Sequence, residues 1–314
     1  MSAFPPARRA AEAWLDRVAA RRGFDRAAAR RSSGRSAADA GDALAREVER
    51  RMAERLELVR HEPARILDVG CGAGASAATL RARYPRAEIV LADFAAAAYA
   101  RARVAPSLAG RLRSAFGVAR ERFVCADMDA LPLATGSCAM LWSNLALAWS
   151  PQPAATLAEW HRVLAVGGLL MFATYGPDTL RELRAAAAAA DDAPHVHPFA
   201  DMHDLGDALV AAGFADPVMD ADRLTLTYAR PEDLERELRA SGQGNAHAQR
   251  RRTLTGRRRW EQIRAAWAPD PHGGRWPATF EIVYGHAWKA APRKLADGRA
   301  IIRMDRAPRF RKPD

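Results

Sequence analysis

The sequence predicts a doubly wound α/β domain, in which helices cover both faces of a mostly parallel sheet. From residue 65 onward, short apolar segments typical of strands alternate with helical segments. The first strand runs into a glycine-rich turn and then a helix, and an aspartate lies at the end of each of the first three strands. The chain has 314 residues, 49% of them hydrophobic, which is enough for one such domain and an added helical part.

The spacing of apolar residues predicts where the helices and strands lie. Residues 37–60 carry apolar side chains three and four positions apart, which predicts an amphipathic helix before the sheet. Strands are predicted over residues 65–69, 88–92, 122–126, 138–143 and 168–174. Helices are predicted over residues 75–83, 154–164, 177–190 and 201–212. Later in the chain, 218–228 is an extended stretch and 279–288 alternates as a strand does.

The segment between these last two stretches is polar and predicted to be helical over 231–267. Because a strand returns after it, we expect an insertion that folds over the edge of the sheet as a lid. Five parts are therefore predicted: a helical segment over 1–62, an α/β core over 63–230, the lid over 231–277, a closing strand over 278–291 and a basic, disordered tail over 292–314.

Composition narrows the class of protein. The formal net charge is +11, which favours acidic partners without choosing among nucleic acid, anionic membrane and acidic protein. Cys71, Cys125 and Cys138 lie in apolar segments and form no CxxC pair, as is typical of reduced thiols. No apolar run approaches the ~20 residues of a membrane span, and the N-terminal segment lacks the apolar part of a secretory signal. We expect a cytoplasmic protein.

A cofactor site is predicted where the first strand ends. Gly70, Gly72 and Gly74, with Cys71 between them, allow a tight turn and close approach of a ligand at a helix N-terminus. Gly70, Gly72 and Ala75 also fit the G-x-G-x-x-A fingerprint of dinucleotide-binding proteins. The loop alone therefore leaves both classes of cofactor open.

Acidic residues at the strand ends favour a cationic cofactor. Asp68 precedes the loop, where a carboxylate would attract the amino group of S-adenosyl-L-methionine and repel a pyrophosphate. Asp93, followed by Phe94, can accept hydrogen bonds from both ribose hydroxyls. Asp127 offers an acceptor to the adenine amino group, and Met128 an apolar side chain to the ring. Together they predict S-adenosyl-L-methionine as the cofactor.

Two of these stretches carry a family resemblance. Residues 66–74 resemble the first motif of the class I S-adenosylmethionine-dependent methyltransferases, and residues 127–133 resemble the motif after their third strand. This resemblance implies a Rossmann-like seven-stranded sheet whose last strand, over 279–288, is antiparallel. Residues 23–28, 143–149, 176–183, 201–209 and 280–288 are similar to a narrower family, the malonyl-acyl-carrier-protein O-methyltransferases of biotin synthesis. A tyrosine that this family usually has shortly after the position of Ala28 is missing.

The resemblance implies methyl transfer to the free carboxyl of a malonyl thioester, on acyl carrier protein or coenzyme A. Such a carboxylate is already ionised at neutral pH, so catalysis needs positioning and exclusion of water and no general base. Two alternatives remain. One is a quinone-type small-molecule methyltransferase, in which His203 would be the base. The other is an assembly factor that transfers no methyl group.

Candidates for the acceptor side follow the fourth and fifth strands. Asn144 is a candidate donor to the carboxylate and a cofactor contact. Trp149 either walls the site or packs in the core, and Tyr175 either reaches the acceptor or packs. Further candidates for orienting the carboxylate are His203, Arg181 and Arg184. The Asn/Asp-Pro-Pro-aromatic turn of many amino-group methyltransferases is absent after the fourth strand.

Two patterns concern metals and partners. His195, His197 and His203 have no cysteine or well-spaced carboxylate beside them, so no metal site is predicted. The arginines at 250–252 and 257–259 lie in the predicted lid, where they would attract an acidic acyl carrier protein. An RNA-phosphate patch and a solvated face are the alternatives, and nucleic acid is the less favoured partner.

Overall fold

The computed structural model describes residues 14–32, 39–95 and 121–291. Seven strands lie in these ranges: β1 (Arg65–Val69), β2 (Glu88–Asp93), β3 (Glu121–Cys125), β4 (Cys138–Asn144), β5 (Leu164–Tyr175), β6 (Phe214–Tyr228) and β7 (Trp276–Lys289). They form one sheet in the order β3-β2-β1-β4-β5-β7-β6. The first five strands pair in parallel, and β7 runs antiparallel between β5 and β6. The predicted seven-stranded sheet with an antiparallel last strand is confirmed.

Eight α-helices lie in the described ranges: α1 (Arg17–Ser32), α2 (Asp39–Glu57), α3 (Ser76–Arg83), α4 (Pro153–Val163), α5 (Arg181–Ala188), α6 (Met202–Ala211), α7 (Pro231–Ser241) and α8 (Arg257–Ala266). A short 3-10 helix, Leu147–Trp149, follows β4. Helices α1 and α2 form the predicted helical segment before the sheet, and α7 and α8 lie between β6 and β7 as the predicted insertion does. The division into five parts stays a prediction.

Both faces of the central strands are buried. Along β4, Met140 and Trp142 belong to one apolar cluster, whereas Leu141 belongs to the cluster on the opposite face. Successive side chains of a strand point to opposite faces, so a strand covered on both sides is apolar throughout. This explains why β4 and β5 are near-continuous apolar runs. Tyr175 ends β5 on the face that α2 covers.

The predicted helix over 231–267 is wrong in one respect, because it is two helices. Helix α7 ends at Gly242, which has a left-handed backbone (φ 83°). The following chain then crosses the segment before α1, where Leu15 and His247 form an antiparallel bridge. Backbone hydrogen bonds from Asp16 N to Ala246 O (2.8 Å) and from Ala248 N to Trp14 O (2.6 Å) hold this crossing. Pairing with a distant segment, rather than local propensity, interrupts the helix.

A second predicted helix begins four residues late. Residues 177–180 form a turn against β7, where Asp178 N donates to the Glu281 carboxylate (2.8 Å) and Leu180 N to Thr279 O (2.6 Å). Helix α5 therefore begins at Arg181. Among the described residues, no helix has the length and apolar character that crossing a bilayer requires. The predicted disordered tail and residues 1–13 of the predicted N-terminal helix lie outside the described residues.

Candidate active site

A cavity of about 820 Å³ lies at the carboxyl ends of β1, β2, β3 and β4. Open α/β sheets bind ligands at this edge, and the volume falls in the range of small-molecule sites. The loops after the four strands form its floor. Its roof comes from α1, α2 and the residues at and after the end of α7, with Leu15, Phe24, Glu49 and Gln243 among the lining side chains.

The glycine loop after β1 shapes the floor. Gly70 has φ +74°, and a Cβ added there would lie 2.1 Å from Ala146 Cβ, so only glycine lets the segment after β4 approach. Gly72 has φ +54° and open space where a side chain would be. Cys71 lines the cavity, and burial raises the pKa of its thiol, which therefore stays protonated. Gly74 completes the turn and does not line the cavity.

The Asp93 carboxylate ties the glycine loop to β2. Its Oδ2 accepts a hydrogen bond from Gly72 N (2.9 Å), and its Oδ1 accepts one from Ala95 N (2.8 Å). Burial raises the pKa of Asp93, although both backbone N–H groups act in the opposite direction. Each carboxylate oxygen can accept more than one hydrogen bond. The side chain can therefore hold the loop and also accept hydrogen bonds from a ligand in the cavity.

Two buried oxygens beneath the cavity have no donor. Asp68 is 1% exposed, and its Oδ2 accepts no hydrogen bond from any described residue. Burial raises the pKa of Asp68 well above its usual range, and the carboxylates of Glu49 and Asp93 add to the rise. On the neighbouring strand, Asn144 Nδ2 donates to Ala45 O (2.9 Å), which leaves Asn144 Oδ1 without a partner. Unpaired buried acceptors fit a ligand that brings N–H donors and positive charge.

The adenine end predicted at β3 contains an ion pair that the sequence did not indicate. Arg17 of α1 lies 3.0 Å from the Asp127 carboxylate and also pairs with Asp129. Met128 lines the cavity beside them, and its carbonyl accepts a hydrogen bond from Trp160 Nε1 (3.2 Å). Asp127 therefore holds the roof to the floor at the position where it was predicted to bind adenine. Arg17 has no distinguishing sequence signal because it lies among many arginines.

Aromatic side chains join the roof to the floor. Phe24 of α1 meets Phe94 edge-on with ring centroids 5.8 Å apart, and Trp149 with centroids 4.8 Å apart. Trp149 also packs against His197, at 4.9 Å. Both interpretations of Trp149 hold, since it is buried in the core and also lines the cavity. Phe24, Phe94 and Trp149 give this part of the cavity an apolar wall.

Comparisons with known proteins place the chain in a family. Residues 67–172 match the model of a methyltransferase domain. Over 267 residues, the chain is 54% identical to the malonyl-[acyl-carrier protein] O-methyltransferase of Laribacter hongkongensis, across 84% of this chain and 90% of that protein. The chain belongs to the malonyl-[acyl-carrier protein] O-methyltransferase family. The protein of the same name from Gallionella capsiferriformans is 46% identical over 265 residues, across 84% of this chain and 90% of that protein.

A solved structure shares this fold. The crystal structure of the YcgJ protein of Bacillus subtilis matches this fold with a TM-score of 0.52 at 16% identity. The match covers 79% of this chain and 100% of the YcgJ chain. S-adenosyl-L-methionine is the cofactor of this methyltransferase. The cavity fits it, because the unpartnered oxygens of Asp68 and Asn144 suit its cationic amino acid part and Asp93 suits its ribose.

The acceptor side of this methyltransferase contains a contact that the sequence did not indicate. Tyr175 is buried and does not line the cavity, but its hydroxyl donates to Gln243 Oε1 (2.9 Å), and Gln243 does line it. Gln243 stands in a polar loop between glycines, and no motif singled it out. Asn144 was predicted as a donor to the acceptor carboxylate. Its amide N–H₂ donates to Ala45 O in α2, and its oxygen is an unpaired acceptor, so the donor role stays a prediction.

Three predicted acceptor residues lie away from the cavity of this methyltransferase. His203 is exposed in the first turn of α6, where its backbone N–H donates to the capping carboxylate of Asp201 (2.7 Å). Arg184 donates to backbone carbonyls that include that of Pro177 (2.8 Å), and Arg181 is an exposed partner of Asp178. The side chains of Arg184 and Arg181 brace the start of α5, and none of the three residues lines the cavity.

The predicted histidines and the arginines of the lid have partners within the fold. His195 pairs with Asp191 (2.8 Å), and His197 Nε2 accepts from Ala246 N (2.9 Å). No group of three metal-ligating side chains occurs in the described part of the chain. The two arginine triplets divide by role. Arg250 pairs with Asp16 (3.0 Å), and Arg251 and Arg259 pair with Asp191 (3.4 and 3.3 Å). The more exposed side chains are Arg252, which lies 3.9 Å from Asp16, Arg257, which lies 2.8 Å from Glu261, and Arg258.

Proposed function

We propose that this chain methylates the free carboxyl of a malonyl thioester and so supplies a pimeloyl precursor of biotin. The observation that carries the proposal is the match to relatives of that name along most of the chain. The methyl ester would mask a charge that is costly to bury in the apolar sites of chain-elongating enzymes. Acyl carrier protein is the preferred carrier and coenzyme A the alternative. The cytoplasmic location stays a prediction.

The cavity suits an acceptor that needs no general base. Within the described ranges, no histidine lines it. Its carboxylates have other partners: Asp93 binds backbone N–H groups, Asp127 binds Arg17, and Glu49 accepts from the Thr79 hydroxyl. The fourth, Asp25, lies 4.0 Å from Arg21 in α1. A malonyl carboxylate is already ionised at neutral pH. The phenolic acceptor of a quinone-type enzyme would need a base, and His203 is not placed to serve as one.

The cofactor, when bound, supplies a methyl group on a positively charged sulfur. The residues of the chain bind and orient the cofactor and the acceptor, and they exclude water. Asp93 and Asn144 would bind from the floor, with Asp68 beneath it, while Phe24 of the roof closes the site by packing on Trp149. Holding the two reactants in line in a dry cavity is the main catalytic requirement when no proton has to move.

An exposed surface of the lid suits an acidic carrier protein. We define the arginine surface as Arg252, Leu254, Arg257 and Arg258. Leu254 is 97% exposed and the Arg257 side chain 92% exposed. No acidic residue occurs between 250 and 260, and Glu261, just beyond, pairs with Arg257 (2.8 Å). Arg252 lies 3.9 Å from Asp16, next to Leu15 of the roof, so a carrier bound here would be close to the cavity. Complementary charge would raise the association rate.

The test is a transfer assay with purified protein, labelled S-adenosyl-L-methionine, and malonyl-acyl carrier protein beside malonyl-CoA. We expect label in a base-labile ester on the malonyl group, formed faster on the carrier protein. Cofactor binding without label in either substrate would contradict the proposal and favour an assembly factor. Label on a phenolic acceptor alone would favour the quinone-type enzyme.

A further inference from the structure

We propose that the side-chain amide of Gln243 binds the acceptor carboxylate, and that Tyr175 is a positioning residue that fixes the orientation of this amide. The inference deepens the proposed function and rests on it for the identity of the acceptor. It depends on three features of the described residues: the position of Gln243 in the cavity, the direction of its hydrogen bond to Tyr175, and the packing of Gly242.

Gln243 lies at the end of the cavity that the cofactor residues leave free. The strand order places β3 at one edge, then β2, β1, β4 and β5. Asp127 follows β3, and Asp93 and Asp68 belong to β2 and β1. Tyr175 ends β5, beyond β4, and its hydroxyl is bonded to Gln243. The predicted adenine contact and Gln243 are therefore at opposite ends of the row of strand tips.

The hydrogen bond to Tyr175 sets which end of the amide is free. A glutamine amide has one accepting oxygen and one N–H₂ group with two donors. Tyr175 is 3% exposed, and burial raises the pKa of its hydroxyl, which therefore keeps its proton and donates to Gln243 Oε1 (2.9 Å). A flipped amide would leave this buried proton without that acceptor, which is costly. The N–H₂ group thus remains for a ligand in the cavity.

The backbone at Gly242, directly before Gln243, is packed tightly against α1. Gly242 has φ +83°, and a Cβ added there would meet Phe24 Cδ1 at 2.8 Å. From the other side, a Cβ on Gly23 would lie 3.1 Å from Gly242 O. This close approach of α1 to the end of α7 places Gln243 next to Phe24, which contacts Trp149. The amide therefore belongs to a fixed part of the cavity wall.

A neutral donor suits the reaction better than an arginine at this point. An amide N–H₂ group can orient a carboxylate oxygen without forming the ion pair that would reduce its nucleophilicity. Among the described residues, the cations that line the cavity are Arg17, which is paired with Asp127, and Arg21, Arg22 and Arg46, which are exposed. Gln243, which is half-buried, supplies the donor inside.

The decisive variant is Gln243→Glu, compared with Gln243→Ala. Glutamate has nearly the same size and keeps an oxygen acceptor for Tyr175, but it replaces the donor by a second oxygen that repels a carboxylate. If Gln243 binds the acceptor, we expect kcat/KM for malonyl-pantetheine to fall about 10- to 100-fold in Gln243→Ala and further in Gln243→Glu. Tyr175→Phe should raise KM more than it lowers kcat. S-adenosylhomocysteine affinity should stay within about threefold in all three.

A binding measurement separates this inference from the proposed function. Calorimetry on the protein saturated with S-adenosylhomocysteine compares malonyl-pantetheine with acetyl-pantetheine, which lacks the carboxylate. We expect the wild type to prefer malonyl-pantetheine and both Gln243 variants to lose this preference, whether or not methyl transfer occurs. Wild-type binding without transfer would overturn the proposed function alone. A malonyl preference unchanged in Gln243→Ala and Gln243→Glu, or absent from the wild type, would overturn the inference.

Discussion

The floor of the cavity comes from loops that each follow one strand, whereas its roof joins segments far apart in the sequence. On the floor, Asp93 binds the N–H of Gly72, only 21 positions away. In the roof, Arg250 binds Asp16 across 234 positions, and Arg17 binds Asp127 across 110. The floor is therefore fixed by the sheet, while the roof depends on ion pairs and ring contacts that are partly exposed. We expect changes in the floor to affect cofactor affinity and changes in the roof to affect exchange and acceptor choice.

The largest effect is expected from Asp93→Ala in the floor. The variant removes the predicted acceptor for the ribose hydroxyls and frees the Gly72 N–H, so S-adenosylhomocysteine affinity should fall about 10- to 100-fold. Calorimetry measures it. Asp25→Ala is the comparison, because Asp25 lines the same cavity from the roof and should change the affinity much less. Equal affinities in wild type and Asp93→Ala would remove Asp93 from the cofactor site.

The second effect concerns Asp68, whose substitution should change cofactor affinity and protein stability in different ways. Asp68→Asn should weaken cofactor binding about tenfold, because it removes a negative charge next to a cationic ligand. It should not destabilise the cofactor-free protein at neutral pH. The folded pKa of Asp68 is raised, so the folded state holds the proton more tightly than the unfolded chain. The wild-type free energy of unfolding therefore falls as the pH rises from the usual aspartate range through the raised value.

Asparagine carries no such charge, and this pH-dependent loss should be smaller in the variant. Thermal melts of both proteins between acidic and neutral pH, without and with S-adenosylhomocysteine, check the sign. A variant that is less stable than the wild type at neutral pH and binds the ligand equally well would contradict this account of Asp68.

The third effect concerns the arginine surface. Reversing charge in Arg252→Glu/Arg257→Glu should raise KM for malonyl-acyl carrier protein about three- to tenfold at low salt, and leave KM for malonyl-CoA nearly unchanged. The difference should shrink as ionic strength rises. Arg60→Glu is the matched control, because Arg60 is exposed after α2 and outside this surface. Equal changes of KM in the double variant and the control would mean that the arginine surface does not bind the carrier protein.

The smallest effect is expected from the ion pairs that join the roof to the floor. Arg17→Ala removes partly exposed ion pairs with Asp127 and Asp129, so S-adenosylhomocysteine should dissociate about two- to fivefold faster. Stopped-flow measurement at two ionic strengths tests it, with Arg22→Ala as control because Arg22 also lines the mouth. A slower release in Arg17→Ala would mean that Arg17 competes with adenine for Asp127 instead of closing the site.

The sequence by itself determined the sheet, the cofactor class and most of the floor. Strand periodicity, the glycine loop and the aspartates at strand tips are local features, because each depends on residues that are adjacent in one strand–loop–helix unit. Asp68, Gly72 and Asp93 could therefore be assigned before any contact was known. The roles of Asn144 and His203 could not be assigned, since they depend on which neighbour takes their hydrogen bonds and on which face of the fold they lie.

Only the tertiary structure decided the roof and the acceptor end. Arg17 and Gln243 stand in stretches that carry no motif, and their contacts join segments that meet only after the chain has folded. The same holds for the arginine triplets, where Asp16 and Asp191 bind Arg250, Arg251 and Arg259, while Arg252 and Arg257 pair with Asp16 and Glu261 and stay largely exposed. Packing between distant segments sets the direction of a hydrogen bond and the choice of an ion-pair partner. The local residue pattern therefore cannot predict them.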